Sequence, residues 1–275
     1  MIDTFHTRQR WLLGLVTSAI LVVAATVPAS AQGSAPVPGE FLGADLITED
    51  AANSAAFYSE LLGWDVEKIE DGEYAMFHKG RLIASVSSIA KEGEVNRSFW
   101  LVGIAVADLD DALRSATALG APVFEKARQV PDYGRIAVIG DLEGAPVMLI
   151  EPGKKRIGGT TGSGSWAWAE FWTNSPKSSA AFYQKIFEYE TNTVDRNGQP
   201  YGVFVSGGKA RTGLVEIPEE FEDVRPGWAP YVGVSDLSQT MADVKKLGGR
   251  VVIGAEESTG ARVALILDPA GAALF

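Results

Sequence analysis

The sequence has no cysteine and only two histidines, His6 and His78. The first absence excludes disulfides, thiol nucleophiles, thiolate metal ligands and a lipid anchor on cysteine. The second leaves no credible Ser-His-Asp set and thins out the side chain best suited to metal binding and to proton transfer near neutral pH. Basic residues are also in deficit: 24 Lys and Arg stand against 35 Asp and Glu, a net charge of −11, and beyond Lys154-Lys155-Arg156 they form no stripe. A nucleic-acid footprint is therefore missing, and the acidic excess is read as serving solubility. No phosphate loop or dinucleotide fingerprint occurs.

Long apolar runs are confined to the start of the chain. Arg8 and Arg10 precede an almost wholly apolar stretch from Trp11 to Val27, and Ala29-Ser30-Ala31 has the small-x-small form of a signal peptidase site. Residues 1–31 are expected to be a signal peptide, with an uncleaved anchor as the alternative. The mature chain is then periplasmic or secreted, has no stable membrane span, and keeps His78 as its one histidine. Residues 32–40, rich in Pro and Gly, read as a flexible lead-in.

What the sequence has is a repeat. Ser54-Ala55-Ala56-Phe57-Tyr58 recurs letter for letter as Ser179-Ala180-Ala181-Phe182-Tyr183, and Trp100, Val106, Asp108, Leu109 and Gly120 return as Trp228, Val234, Asp236, Leu237 and Gly248. A unit of roughly 110–120 residues, enough for a domain with its own core, therefore appears twice. The expected domains are 41–152 and 166–275, joined by a Gly/Ser-rich linker at 153–165.

Within the first copy, Phe41–Thr48 reads as a strand, and residues 50–62 as a helix stopped by Gly63. Residues 64–70, 74–78 and 81–89 read as three strands around the Asp71-Gly72 and Lys79-Gly80 turns. The series then repeats: a strand at 99–106, a helix at 108–119 with Leu109, Ala112, Leu113, Ala116 and Leu119 along one stripe, and strands at 122–127, 134–140 and 147–151. In the second copy Ser175 is a plausible N-cap ahead of Pro176. The fold class expected is α+β: four βαβββ units in tandem, two per domain, forming curved, mainly antiparallel sheets with helices on the outer face.

Ala56-Phe57-Tyr58…Leu62-Gly63-Trp64, Val106-Ala107-Asp108-Leu109-Asp110-Asp111-Ala112 and the turn Asp141-Leu142-Glu143-Gly144-Ala145-Pro146, with their counterparts in the second copy, resemble the vicinal oxygen chelate superfamily. That superfamily includes glyoxalase I, bleomycin- and fosfomycin-resistance proteins and extradiol dioxygenases. The likeness covers nearly the whole mature chain. It implies that paired modules can pack together within one chain, and that a divalent ion, where present, is held by His, Gln or Glu from the first and last strands of each unit. Here the first-strand positions fall at Gly43 and Trp168, and the last-strand glutamate is replaced by Met148 and Phe275. No metal site is expected from this set, although a divalent metal is not excluded.

Asp45 and Glu170, two residues further along the first strands, are expected to point into the clefts, where a carboxylate can bind a cationic group or act as a base raised by burial. Trp166, Trp168 and Trp172 should share Glu170's side of its strand by even spacing, and Trp100 and Trp228 recur at equivalent positions. The expected ligand-binding set is Asp45, Glu170, Trp168, Trp172, Trp100 and Trp228, lining a cleft for a small aromatic or cationic molecule. Arg211, Glu216 and Tyr133 are expected at the surface, and His78 in an exposed loop. The function expected is metal-independent binding of a small molecule by an exported protein of this fold. A glyoxalase-like lyase or dioxygenase is the alternative, and a scaffold acting through protein contacts is a third reading. No catalytic residue is assigned.

Overall fold

Helix ends in this chain are set by local side-chain chemistry. The computed structural model describes residues 36–89, 98–131, 133–154, 160–196, 198–219, 224–256 and 262–275, so the expected signal peptide lies outside the described residues. Strand β1 (Phe41–Thr48) leads into helix α1 (Ala51–Leu62), where the Asp50 side chain accepts from Asn53 N–H and Gly63 closes the end in the left-handed region at φ 68°. After β2 (Asp65–Glu70), β3 (Glu73–His78), β4 (Arg81–Ser88) and β5 (Phe99–Ala105) comes α2 (Leu109–Ala118), capped by Asp108 on Asp111 N–H. β6 (Val123–Val130), β7 (Gly134–Gly140) and β8 (Pro146–Pro152) complete the first copy.

The second copy repeats the series as β9 (Trp166–Thr173), α3 (Pro176–Phe187), β10 (Glu190–Arg196), β11 (Gln199–Ser206), β12 (Lys209–Glu216), β13 (Gly227–Val232), α4 (Leu237–Lys246), β14 (Arg250–Glu256), β15 (Val263–Leu267) and β16 (Ala273–Leu274). Here the expected capping is reversed. Pro176 does open α3, but the Ser175 side chain makes no cap hydrogen bond, although its backbone N–H donates to Thr173 Oγ1 as that of Asp50 does to Thr48 Oγ1. The first copy, less clearly marked in sequence, has the working cap.

Strand order in the first copy is β2-β3-β4-β1-β5-β8-β7-β6, one eight-stranded sheet. β1 runs parallel to β4 and antiparallel to β5, and β5 runs parallel to β8, so each βαβββ unit folds alike and the two meet at β1 and β5. The second copy forms β10-β11-β12-β9-β13 and a separate β14-β15-β16. Val232 N–H donates to Phe275 O at 2.9 Å and Phe275 N–H to Pro230 O at 3.1 Å, so the last residue bridges the two sheets.

One buried cluster runs through both copies, from Leu46, Tyr58 and Trp100 to Phe171, Tyr183 and Trp228. The copies clasp each other reciprocally. Asp268 accepts from Ser54 Oγ at 2.8 Å, while Asp141 accepts from Tyr183 Oη at 3.3 Å. Both acids sit in the turns expected from sequence, with Gly144 and Gly271 at φ 86° and 89°. The lead-in is held at its described end: Gly39 N–H donates to Ala105 O, and Tyr189 Oη donates to Gly39 O.

Candidate functional site

On the sheet face away from the helices, β9 presents Glu170, only 2 % exposed. Tyr201 Oη donates to its Oε1 at 2.6 Å and Arg196 Nη1 to the same oxygen at 3.0 Å. Tyr231 Oη donates to Oε2 at 2.6 Å and Trp172 Nε1 to Oε2 at 3.2 Å. Trp168 Nε1 donates to Tyr201 Oη at 2.9 Å, and the Arg196 guanidinium lies 4.3 Å over the Tyr201 ring. Phe275 stacks on Tyr231 at 4.5 Å between centroids and on Trp172 at 5.9 Å. One carboxylate thus fixes two tyrosines, an arginine and a tryptophan, and through Tyr201 a second tryptophan.

Strand register explains the convergence. Glu170 stands opposite Gly213 on β12 and Ala229 on β13, both small. A Cβ on residue 213 would lie 1.9 Å from Tyr201 Oη and 2.7 Å from Glu170 Cγ, so Gly213 makes the room in which the acid and the phenol meet. Burial first, and then the Glu170 charge, push the Tyr201 and Tyr231 hydroxyls far above the ordinary phenol value. Both stay protonated and donate.

The first copy builds a different surface from the same positions. Where Trp168 pairs with Tyr231, the first copy pairs Gly43 with Gly103. Met148 lies beside Gly103 as Phe275 lies beside Tyr231. Leu101, opposite Asp45, packs with Ile47, Ile136, Val138 and Met148 in an aliphatic cluster buried on that face. Asp45 Oδ1 accepts from Ser85 N–H at 2.7 Å. Burial raises its carboxyl, while the Ser85 contacts and the Arg128 charge pull the other way. Trp168, Trp172, Tyr201 and Phe275, by contrast, remain partly exposed.

Of the six residues expected from sequence, Glu170, Trp168 and Trp172 come together. Asp45 lies in the other copy's sheet. Trp100 and Trp228 lie on the helix side, 3 % and 7 % exposed, donating to Tyr58 Oη at 3.1 Å and Tyr183 Oη at 3.0 Å. Trp166 leaves the set that even spacing assigned it. A register shift between Tyr231 and Val232 turns it away from Trp168, and it packs instead against Trp64 and Trp100.

His78 and Tyr133, expected at the surface, are buried at 8 % and 6 % exposure. His78 ends β3 against Gly164, where an added Cβ would meet its ring at 2.8 Å, and Tyr133 joins the aliphatic cluster. Sequence reading missed Arg196, Tyr201, Tyr231, Gly213 and Phe275 as partners of Glu170. The available signal was the exchange of Gly103 for Tyr231 and of Met148 for Phe275 at repeat-equivalent positions.

The donor set does not fit a divalent ion at Glu170. Four donors, one of them a guanidinium, already occupy its two oxygens. Among the described residues no three His, Cys, Asp or Glu side chains come together.

The chain is similar to known proteins over most of its length. The family model of the Glyoxalase/Bleomycin resistance protein/Dioxygenase superfamily matches residues 41–149. "Putative glyoxylase CFP32" of Mycobacterium bovis is 30 % identical over 240 residues, 83 % of this chain and 90 % of that protein. The "Anthracycline biosynthesis protein DauV" of Streptomyces sp. is 28 % identical over 252 residues, 86 % and 91 % of the two chains. Among solved structures, the Mn(II)-bound glyoxalase from Novosphingobium aromaticivorans superposes with a TM-score of 0.61 at 13 % identity, covering 87 % of this chain and 82 % of that one. An extradiol ring-cleaving dioxygenase from B. fuscum gives 0.60 at 16 % identity, covering 89 % and 73 %.

Proposed function

Since the chain belongs to the Glyoxalase/Bleomycin resistance protein/Dioxygenase superfamily, we propose that it binds a planar aromatic small molecule on the open face of its second copy, independently of a metal. The observation carrying this reading is the Glu170 hub. Its hydrogen bonds lock the rings of Trp168, Tyr201, Trp172 and Tyr231 in place while three of the four remain partly exposed. Rings fixed before the ligand arrives lose little conformational entropy on stacking. The first copy's aliphatic face serves as core.

Titrating the purified protein with planar aromatic compounds tests this directly. Saturable binding with a raised melting temperature is expected, lost in Trp168→Ala and Trp172→Ala. Undiminished binding in both variants overturns it. Export belongs to the same proposal: residues 1–31 are removed and the mature chain, with domains at 41–152 and 166–275, works in the periplasm or outside the cell. Mass spectrometry of the protein from cell fractions checks the new N-terminus.

The names of the relatives favour a second reading, a glyoxalase-like lyase or a dioxygenase. Turnover of a hemithioacetal or a catechol with added Mn(II), Ni(II) or Fe(II), abolished in Glu170→Gln, would select it.

A further inference from the structure

Among the described residues, every side-chain N–H or O–H donor in the Glu170 cluster has an acceptor inside the cluster, with one exception. A carboxylate offers about four lone-pair sites, and those of Glu170 meet Tyr201, Arg196, Tyr231 and Trp172. The hub therefore presents no free acceptor to a ligand cation. The hydroxyl protons of Tyr201 and Tyr231 point to Glu170, and the indole N–H groups of Trp168 and Trp172 go to Tyr201 and Glu170. Arg196 differs. Its Nη1 holds Glu170 and one face of its guanidinium lies over Tyr201, yet its side chain stays 27 % exposed. Among the described residues the rest of the fork, which carries further N–H donors, meets no acceptor.

From this we infer that Arg196 is the specificity-determining residue of the second-copy site, and that the ligand is a planar aromatic bearing an uncharged carbonyl oxygen at its rim, as in a lactone, aryl ketone or quinone. The inference rests on the proposed reading of the site as an aromatic-binding face. The ring system lies against Trp168 and Trp172, and the carbonyl oxygen accepts from the open edge of Arg196. An uncharged acceptor fits better than an anion for two reasons. Glu170, 3.0 Å away, already balances the guanidinium charge, and the chain as a whole carries −11. A cationic ligand would face the outward edge of an arginine.

Two bicyclic probes of similar outline isolate the carbonyl: coumarin, which has one, and naphthalene, which has none. Naphthalene-2-carboxylate serves as the anionic comparison. Calorimetric titration of the full mature chain is expected to give coumarin at least ~10-fold tighter binding than naphthalene, the discrimination of about one charge-assisted hydrogen bond, and tighter binding than the carboxylate. In Arg196→Met the coumarin-to-naphthalene ratio should fall to near one. Arg196→Lys keeps a cation beside Glu170 but lacks the fork, and should give an intermediate ratio with the wild-type melting temperature largely retained. A ratio near one in the wild type, or one unchanged in both variants, overturns the role of Arg196 while leaving the aromatic-binding reading intact. Tightest binding by the carboxylate overturns the uncharged acceptor. If none of the probes binds, the reading of the site and this inference fall together.

Discussion

Gly213 lies so close beneath Tyr201 that a single added carbon would overlap the phenol oxygen, at 1.9 Å. The close approach lets the Tyr201 hydroxyl reach Glu170 at 2.6 Å. Gly213→Ala should therefore push Tyr201 off the carboxylate, destabilising the protein by about 1–3 kcal/mol and weakening aromatic ligands. Urea unfolding measures the first effect and the same titrations the second. Wild-type stability in the alanine variant would show that Tyr201 has another resting place.

Glu170→Gln removes the charge that Arg196 answers and replaces one oxygen, which accepts two of the four hydrogen bonds, by an amide nitrogen that donates. The tyrosine hydroxyl there must turn to accept, and the Trp172 or Arg196 N–H beside it loses its acceptor. A loss of about 2 kcal/mol is expected. It falls below the ~3–5 kcal/mol of a fully buried pair, because Arg196 keeps 27 % of its side chain in solvent. Chemical denaturation of the variant against wild type checks it, and an Arg196→Met background should shrink the difference.

The clasp between the copies should be sensitive to pH. Burial raises the carboxyl groups of Asp141 and Asp268 above their ordinary value of 3.8, partly offset by the turn N–H groups and by Ser54 on Asp268. A raised acid holds its proton more tightly folded than unfolded. Its contribution is thus full below pH 3.8 and declines as pH rises through the folded value. Unfolding free energies measured stepwise across the acid range should show this decline, flattened in Asp268→Asn.

Ser54→Ala removes the donor to Asp268 Oδ2 and leaves a carboxylate only 3 % exposed with fewer partners. The expected cost is about 1–3 kcal/mol. Double-mutant analysis with Asp268→Asn should show strong coupling between two residues 214 positions apart.

His78 should titrate below its ordinary 6.5, because burial and then the neighbouring Lys79 charge disfavour the imidazolium. Here the unfolded chain binds the proton more tightly. Stability is therefore full above pH 6.5 and falls as pH drops through the folded value. NMR titration of the chain from residue 32 onward, in which His78 is the one histidine, reads it directly.

The repeat, the four βαβββ units, most strand positions and the glycines at Gly63, Gly144 and Gly271 were legible in the sequence, because each depends on contacts within a few residues. Glu170, Trp168 and Trp172 were legible as neighbours because β9 alternation brings them together. Sequence alone did not show that Trp166 departs from them, because one register shift inverts the alternation. Nor did it show that His78 is buried, because the chain from residue 164 that packs on it is far away in sequence. Only the tertiary structure decided which of the two matching acids becomes a hub. Arg196, Tyr201 and Tyr231 stand 26, 31 and 61 residues beyond Glu170, and the strand order β10-β11-β12-β9-β13 is what brings their side chains onto one carboxylate.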